Sequence, residues 1–355
     1  MVCVEDYEPL ARERLPAAVW DYIEGGAGAE LTLHANREAF DRISIRPRVL
    51  VDVSRCDTAT TVLGSPLRSP VIVAPTAFHG QVHDDAEPAT ARGTAAAGSL
   101  FVVSTMSSRP LADIAAAAAG PLWFQLYLLR DRGVVVDMVT RADAAGFSGL
   151  VLTVDTPRLG RRLRDERNSY VVNAGASPAN VRAGLPVSLH ERQEGISGLA
   201  ATARDIFDQT LTWADLAWLR ELTDMPLLLK GIVTAPDAAL AVEHGVDGII
   251  VSNHGGRQLD GGIASLRALP DVVGAVAGRC PVLVDGGVRR GRDVFIALAL
   301  GADAVLVGRP VLWGLAVGGA DGVEHVLSML TDDLEHTMAL AGRPSVADIG
   351  RDAVD

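Results

Sequence analysis

VLVDGGVRRGRDVFIALALGADAVLVGR, residues 282–309, contains two short apolar runs on either side of a helix-like stretch. Val282–Asp285 and Ala304–Gly308 are rich in Val and apolar at nearly every position, which is typical of parallel strands covered on both faces. Gly291–Leu300 lies between them and is rich in the good helix formers Ala and Leu. The segment therefore predicts one strand–helix–strand unit.

The same unit recurs along the chain from about residue 70. Six further apolar runs have this character: Val71–Ala74, Leu100–Ser104, Leu122–Tyr127, Leu150–Val154, Leu227–Lys230 and Gly248–Ser252. The helical stretches that separate the runs are Ala86–Ala97, Leu111–Ala118, Val134–Ala145, Trp213–Leu222, Ala235–His244 and Ser265–Val276. Eight such units in succession favour the α/β class and a closed (β/α)₈ TIM barrel, with an open doubly wound sheet as the alternative.

Two segments depart from this regular alternation. The first, residues 1–69, carries helical patterns that begin near Leu15-Pro16 and at Leu31. The second is a long polar insert, about 161–209, between the fourth and fifth predicted strands. Inserts of that length after a barrel strand are usually lids or disordered segments. We therefore predict one domain over 1–355, with an N-terminal helical cap (1–69), a barrel (70–350) and a lid insert.

Composition and charge exclude several classes of function. The chain has 355 residues, is 48% hydrophobic, and has a net charge of −12, which opposes binding to nucleic acid or anionic membranes. It has no uninterrupted apolar stretch of the 18 residues expected of a membrane span. The cysteines, Cys3, Cys56 and Cys280, are far apart and lack metal-ligand spacing. These features predict a cytoplasmic protein with reduced thiols and no metal site.

Each predicted strand delivers a polar side chain to its carboxyl end, where barrels of this kind carry their catalytic groups. Along the chain these side chains are Thr76, Ser104, Gln125, Tyr127, Thr153, Asp155, Lys230, Ser252, His254, Asp285, Arg289 and Arg309. Glycine-rich turns follow the last two strands, and Arg289 and Arg309 lie in or next to them. Backbone N–H groups and arginines in such turns predict a phosphate-bearing cofactor.

His254 is the histidine that stands at a strand end, which makes it a candidate base, although a structural role is the common alternative. Asp155 would orient its imidazole, and Arg257 would hold a carboxylate beside it. Arg161 and Arg162 begin the insert, and at least one of them would supply a second arm of an anion clamp, with a solvated doublet as the alternative. Lys230 is either an ion-pair partner or a cation near the cofactor.

The stretch SNHGGRQLD, residues 252–260, is similar to the active-site signature of the FMN-dependent α-hydroxy-acid oxidases and dehydrogenases, which include glycolate oxidase, lactate oxidase and mandelate dehydrogenase. Other stretches agree in order and spacing over nearly the whole chain: DY at 21–22 followed by GGA, APTA at 74–77, FQLY at 124–127, TVDTPRLGRR at 153–162, LKG at 229–231, DGGVR at 285–289 and VGRP at 307–310. The chain is identified as a member of this family.

The resemblance implies FMN as the cofactor. It assigns the flavin ring and its polar edge to Thr76, Ala77, Ser104, Gln125 and Thr153, with Ser252 also among the cofactor-binding residues. It places Lys230 beside the N1–C2 edge and Asp285 on the ribityl chain. It assigns the phosphate to Gly287, Arg289, Gly308 and Arg309.

The resemblance also implies the chemistry, which is oxidation of a 2-hydroxy acid to a 2-keto acid. Tyr22, Arg162 and Arg257 would hold the substrate carboxylate, and Tyr127 would bond near the α-hydroxyl. His254 would accept the proton while Asp155 stabilises the imidazolium. Two mechanisms remain open. In the first, hydride transfer accompanies loss of the hydroxyl proton; in the second, removal of the α-proton forms a carbanion.

Two positions bear on the acceptor and the substrate. Ala77 is alanine in oxidases of this family and glycine in some relatives that use other acceptors, which favours dioxygen reduced to hydrogen peroxide. Met106 stands where glycolate oxidases carry a large tryptophan, so we expect a substrate larger than glycolate, either mandelate-like or medium aliphatic. Core packing is the alternative role of Met106.

Other functions remain open from sequence alone. They are an FMN dehydrogenase with another acceptor, an FMN barrel enzyme acting on a modified peptide or as an isomerase, and a non-catalytic binding barrel. Arg162 and Arg257 argue against the isomerase, and His254 with Lys230 against the non-catalytic barrel. The resemblance further implies a homo-oligomer, such as a tetramer or octamer.

Overall fold

The structure is a computed structural model that describes residues 1–181, 187–191 and 197–355. Its N-terminal part contains helices α1 (Tyr7–Arg14), α2 (Ala17–Glu24) and α3 (Leu31–Asp41). An antiparallel hairpin follows, formed by β1 (Thr60–Val62) and β2 (Ser65–Leu67). The sequence predicted α2 and α3, whereas the hairpin was not predicted because each of its strands is only three residues long.

Eight parallel strands of the described chain close into a barrel, so the predicted (β/α)₈ fold is confirmed. They are β3 (Val71–Val73), β4 (Phe101–Ser104), β5 (Leu122–Leu126), β6 (Leu150–Thr153), β7 (Leu227–Ile232), β8 (Gly248–Val251), β9 (Val282–Asp285) and β10 (Ala304–Val307). The barrel closes where β10 pairs with β3. Each strand lies within two residues of its predicted bounds.

Helices surround the barrel. They are α4 (Ala86–Ala96), α5 (Leu111–Ala117), α6 (Arg132–Ala144), α7 (Leu163–Arg167), α8 (Gly198–Ile206), α9 (Asp215–Arg220), α10 (Ala235–Glu243), α11 (Ser265–Val276), α12 (Gly291–Ala299) and α13 (Arg309–Ala341). The chain of α13 is broken by non-helical backbone at Gly318 and Gly319. Within the described residues, no helix combines the length and hydropathy needed to cross a membrane.

The barrel interior is filled at its amino end. One set of strand residues packs inside the barrel, including Ile72, Trp123 and Leu283, and the hairpin adds Val62 and Leu67 to this cluster. The alternate residues of the same strands pack outward against the helices. Because the amino end is closed by apolar side chains, the open end of the barrel is the carboxyl end, where the polar residues lie.

The predicted lid insert contains helices that the sequence did not indicate. Residues 182–186 and 192–196 of this insert lie outside the described residues. In α8 the Ser197 hydroxyl accepts a hydrogen bond from the backbone N–H of Ala200, which caps the helix start. Leu199, Ala203 and Ile206 then form one buried apolar face. With only one such face in a long polar segment, the periodicity was too short to be recognised.

Candidate functional site

The carboxyl ends of the barrel strands surround a pocket of about 1240 Å³, measured out to its open mouth. Most of the residues predicted from the sequence line it: Tyr22, Thr76, Ala77, Ser104, Met106, Tyr127, Arg162, Lys230, His254, Arg257, Asp285, Gly287, Arg289, Gly308 and Arg309.

The other predicted residues lie directly behind this lining. Gln125 Nε2 donates to Thr153 Oγ1 at 3.0 Å, and Gln125 Oε1 accepts from the Ser104 hydroxyl at 3.2 Å. The Ser252 hydroxyl accepts from Lys230 Nζ at 2.8 Å. These buried contacts fix the side chains that face the pocket.

His254 is held in a turn of left-handed backbone. Its φ is +60°, and Gly255 and Gly256 follow with φ of +65° and +75°. His254 Nδ1 lies 2.9 Å from Asp155 Oδ1, and Nε2 lies 3.4 Å from the hydroxyl of Tyr127. A carboxylate at Nδ1 keeps the proton on that nitrogen, so the lone pair of Nε2 faces the pocket and is able to accept a proton.

Burial and the mutual interaction of His254 and Asp155 determine the protonation states of this pair. Burial lowers the pKa of His254, while the charge of Asp155 opposes that effect by favouring the imidazolium. Burial would raise the pKa of Asp155, but His254 and Lys230 outweigh it and hold the pKa below its ordinary value. The pair is therefore a neutral imidazole beside an ionised carboxylate, which is the state that a general base requires.

Lys230 and Asp285 form a second buried pair. Lys230 Nζ lies 3.0 Å from Asp285 Oδ2. Burial disfavours the ammonium, but Asp285 and Asp155 outweigh burial and raise the pKa of Lys230. Asp285 Oδ1 is buried and has no hydrogen-bond partner among the described residues, so one acceptor remains for a hydroxyl group of a ligand.

Four arginines make the pocket electropositive: Arg162, which is buried, and the partly buried Arg257, Arg289 and Arg309. Burial and the neighbouring Arg257 lower the pKa of Arg162 to about 10. Burial and the other arginines lower the pKa of Arg309 to about 9, although Glu24 opposes this shift. Guanidinium groups stay protonated in proteins, so these directions indicate a site that is stabilised by anionic ligands.

The N-terminal part of the chain completes the site. Arg257 Nη1 donates to the carbonyl oxygens of Tyr22 and Gly25 at 2.6 and 2.8 Å, and its guanidinium carbon lies 4.9 Å from the centre of the Tyr22 ring. Arg309 donates to the carbonyls of Ile23 and Gly255. Arg309 therefore also holds the end of α2 against the barrel, which its strand-end position did not predict.

The turn after β9 has the shape of an anion cradle. Gly286 and Gly287 have φ of +96° and +94°, and a Cβ on Gly287 would meet the Asn36 carbonyl oxygen at 2.4 Å. Arg289 lies next to this turn, and its guanidinium carbon is 4.8 Å from the ring centre of Trp313. A glycine turn beside arginines, an unpaired Asp285 oxygen and a fixed ammonium match the phosphate, ribityl chain and ring edge of FMN.

Several residues in the pocket or directly behind its lining were not predicted from the sequence. Phe207 stacks on Tyr127 with ring centres 4.7 Å apart, and Tyr170 stacks on Tyr22 at the same distance. The insert adds an apolar wall that includes Leu189 and Leu199. These residues do not follow strands, so the strand-end rule gave no signal for them. Among the described residues, no group of His, Cys, Asp and Glu is arranged to hold a metal ion.

The chain is similar to known proteins over nearly its full length. The family model of the FMN-dependent dehydrogenases matches residues 11–355. An L-lactate oxidase of Nostoc sp. is 50% identical over 350 residues, covering 97% of this chain and 95% of that protein. Glycolate oxidase 3 of Arabidopsis thaliana is 49% identical over 348 residues, covering 98% and 94%.

A solved structure gives the same result in three dimensions. The crystal structure of a mandelate oxidase with (S)-4-hydroxymandelic acid has a TM-score of 0.96 and 42% identity, covering 100% of this chain and 98% of that one. The family resemblance and the FMN dependence predicted from the sequence are thereby confirmed. The chain belongs to the FMN-dependent dehydrogenase family.

Proposed function

We propose that this protein oxidises an (S)-2-hydroxy acid to the 2-keto acid with FMN, and that dioxygen is reduced to hydrogen peroxide. The observation that carries the proposal is the base of the site: His254 Nδ1 lies 2.9 Å from Asp155, and Arg162 and Arg257 line the same pocket. A base beside an anion clamp suits a substrate that must lose a proton from a group next to its carboxylate. The lactate and mandelate oxidases similar to this chain support the same reaction.

The residues that would hold FMN are those of the pocket and its inner lining: Thr76, Ala77, Ser104, Gln125, Thr153, Lys230, Ser252, Asp285, Gly287, Arg289, Gly308 and Arg309. FMN, when bound, supplies the acceptor for the two electrons of the substrate. Lys230 provides a fixed ammonium, which stabilises negative charge that develops on a neighbouring group. Asp285 offers its unpaired oxygen to a hydroxyl.

The substrate would be bound by Tyr22, Arg162 and Arg257 through its carboxylate and by Tyr127 near its hydroxyl. Burial raises the pKa of Tyr127, so its hydroxyl stays protonated and donates a hydrogen bond. His254 accepts one proton at Nε2, from the hydroxyl or from the α-carbon. Asp155 then stabilises the imidazolium.

The side chain of the substrate would face an apolar wall. Met106 is 4% exposed and lines the pocket, together with Leu159, Leu199 and Phe207. Such a wall has no charged group to pair with a polar substituent, and it gains free energy by covering an aryl or medium aliphatic chain. This is the basis for a substrate larger than glycolate.

Other properties stay proposals of the same kind. Leu189 and Leu199 line the pocket from the 161–209 insert, which supports its role as a lid over a single domain, 1–355. A homo-oligomer and a cytoplasmic location remain predictions. A dehydrogenase that uses another acceptor is the alternative function, and Ala77, which lines the pocket, favours dioxygen over it.

The test is the visible spectrum of the FMN-loaded protein. Under anaerobic conditions, (S)-mandelate, (S)-lactate and glycolate are added separately, and air is then admitted. Bleaching by one acid, followed by recovery and peroxide in air, supports the oxidase and ranks its substrates. Bleaching without recovery in air supports the dehydrogenase. A flavin that none of the three acids bleaches contradicts the proposed substrate class.

A further inference from the structure

Asp165 is a buried carboxyl group that the proposed reaction does not use. It lies in α7, three residues after Arg162, and is 2% exposed. Neither of its carboxyl oxygens has a hydrogen-bond partner among the described residues, and the same holds for Arg162 Nε. Arg162 Nη1 is the nearest basic group, 4.0 Å from Asp165 Oδ2.

This arrangement differs from an ordinary buried ion pair. A carboxylate without hydrogen-bond donors is costly to bury. The pairs on the other side of the pocket have distances of 2.9 and 3.0 Å. The guanidinium of Arg162 therefore keeps its N–H donors available for a substrate in the pocket, where Arg257 also lies. Asp165 contributes negative charge but does not fix the orientation of this guanidinium.

The charges around Asp165 come from several elements. Arg162 and Arg257 favour its ionised form, whereas Asp21 and Glu166 oppose it. The rings of Tyr22 and Tyr170 also face it, and both hydroxyls stay neutral because burial raises their pKa. Burial is the largest influence and leaves the pKa of Asp165 above its ordinary value.

The charge of the whole site also favours protonation when the site fills. Among the described residues of the pocket and its inner lining, the basic groups are Lys230, Arg162, Arg257, Arg289 and Arg309, and the carboxylates are Asp155, Asp165, Asp285 and Glu24. Five positive and four negative charges leave +1, and an FMN phosphate of about −2 makes this about −1. A substrate carboxylate would then make it about −2, unless one carboxylate takes up a proton.

We propose that Asp165 takes up a proton from solvent when a carboxylate binds to Arg162, and that it thereby couples substrate binding to pH. The proton bonds to a carboxyl oxygen of Asp165, and the negative charge next to Arg162 passes to the bound acid. The proposal rests on the proposed function, because it takes Arg162 as an arm of the substrate clamp. Affinity for the acid then falls about tenfold per pH unit, where one proton is taken up.

The experiment counts protons with an acid that the enzyme cannot oxidise. Phenylacetate has the carboxylate and the ring but no hydroxyl. It is titrated by calorimetry into the FMN-loaded His254→Asn variant, in two buffers of different ionisation enthalpy. This variant removes the imidazole of His254, which would itself accept a proton, and the comparison with Asp165→Asn then separates Asp165 from the other carboxylates of the site. We expect uptake that approaches one proton, and its loss in the His254→Asn/Asp165→Asn variant with binding retained.

A matched control is Asp21→Asn in the His254→Asn background. Asp21 also acts on Asp165 but lies on α2 and is partly exposed, so proton uptake should persist. Uptake that survives Asp165→Asn, or no uptake in the His254→Asn variant between pH 5 and 9, would overturn the proposal. If Asp165→Asn does not fold, the pH dependence of phenylacetate affinity in His254→Asn decides alone, and a flat profile would refute the coupling.

Failure of this inference is separate from failure of the proposed function. Flavin bleaching by (S)-mandelate in the unmodified protein tests the function without reference to Asp165. If (S)-mandelate bleaches the flavin but phenylacetate binds without proton uptake, the role of Asp165 is overturned and the proposed function stands. Absence of both bleaching and phenylacetate binding overturns the carboxylate clamp and the coupling with it.

Discussion

The two sides of the pocket differ in how closely their buried charged groups are paired. On the side of β6 to β9, His254 lies 2.9 Å from Asp155, and Lys230 lies 3.0 Å from Asp285. On the side of α7, Arg162 and its nearest carboxylate are 4.0 Å apart, and neither oxygen of that carboxylate has a partner in the described chain. The first side is fixed before any ligand arrives, whereas the second keeps hydrogen-bonding capacity for a ligand.

The difference follows from the elements that carry the residues. Lys230 belongs to β7 and Asp285 ends β9, so the hydrogen bonds of the barrel hold both backbones, whereas His254 lies in the turn after β8, where its N–H donates to the Ser252 hydroxyl. Arg162 directly precedes the short helix α7 of the insert. Groups that must keep one geometry benefit from rigid strands. A group that binds a substrate carboxylate benefits from a position in which its hydrogen bonds are made by the substrate.

The largest expected effect comes from breaking the fixed side. His254→Gln should slow flavin reduction by (S)-mandelate by about 10²–10⁴-fold, the usual contribution of a general base. Anaerobic stopped-flow absorbance measures this rate. The bound flavin spectrum should be retained, because Lys230, Asp285 and the glycine turn are untouched. A reduction rate close to that of the unmodified protein would contradict the role of His254.

The side of α7 offers a matched pair of neighbouring arginines. Arg162 is 6% exposed, whereas the Arg161 side chain is 76% exposed and pairs with Glu166. Arg162→Met should raise the KM for (S)-mandelate by roughly 10²-fold or more, because losing one partner of a buried charge pair costs about 2–5 kcal/mol. Arg161→Met should leave KM within about twofold, since solvent screens an exposed pair. Steady-state kinetics compares them, and equal effects would be evidence against the clamp.

The pairing of His254 with Asp155 can be tested by pH. Asp155 raises the pKa of His254 by stabilising the imidazolium, against the larger lowering by burial. Asp155→Asn removes that charge, so His254 should lose its proton at lower pH. Because neutral His254 is the base, activity is lost as pH falls through its pKa. The acid limb of kcat/KM should therefore move down by roughly one pH unit.

The same variant should also lower the plateau of kcat/KM, since the imidazolium formed in the reaction is no longer stabilised. An acid limb that stays in place, or one that moves to higher pH, would show that Asp155 does not act through the charge of His254. The pH profile of Glu38→Gln serves as the control, because Glu38 is exposed, pairs with exposed Arg42 and does not contact the base.

The strand side of this comparison could be predicted from sequence, and the insert side largely could not. Lys230 and Asp285 end apolar runs, and the carboxyl ends of barrel strands meet on one rim, so their proximity follows from the fold alone. Asp155 and His254 follow strands within three residues and were found in the same way. Arg162 was recognised from the resemblance, since an arginine doublet by itself is usually solvated.

Asp165 and Phe207 carried no comparable signal. Asp165 lies in a short helix rich in charged residues, LRDER, where an exposed position is the ordinary expectation. Its burial depends on contacts between α7 and α2, which are far apart in sequence. Phe207 directly follows α8, and its stacking on Tyr127 depends on how the insert folds back over the end of β5. Tertiary contacts of this kind leave no local pattern.

The smallest expected effect concerns the apolar wall that the insert contributes. Leu199 of α8 is 7% exposed and lines the pocket. Leu199→Ala removes apolar contact with an aryl group, which should lower kcat/KM for (S)-mandelate by about tenfold. Glycolate has no side chain to reach this wall, so its kcat/KM should not change. The ratio of the two values in one preparation measures the effect independently of enzyme concentration.

Leu340→Ala is the matched control, because Leu340 is 68% exposed near the end of α13 and is not among the residues that line the pocket. It should leave the mandelate-to-glycolate ratio unchanged. An equal loss for both acids in Leu199→Ala would show that α8 positions Arg162 or His254 instead of contacting the substrate. The strand side of the pocket would then not be fixed independently of the insert, since a change in α8 would disturb the geometry of the residues that the strands carry.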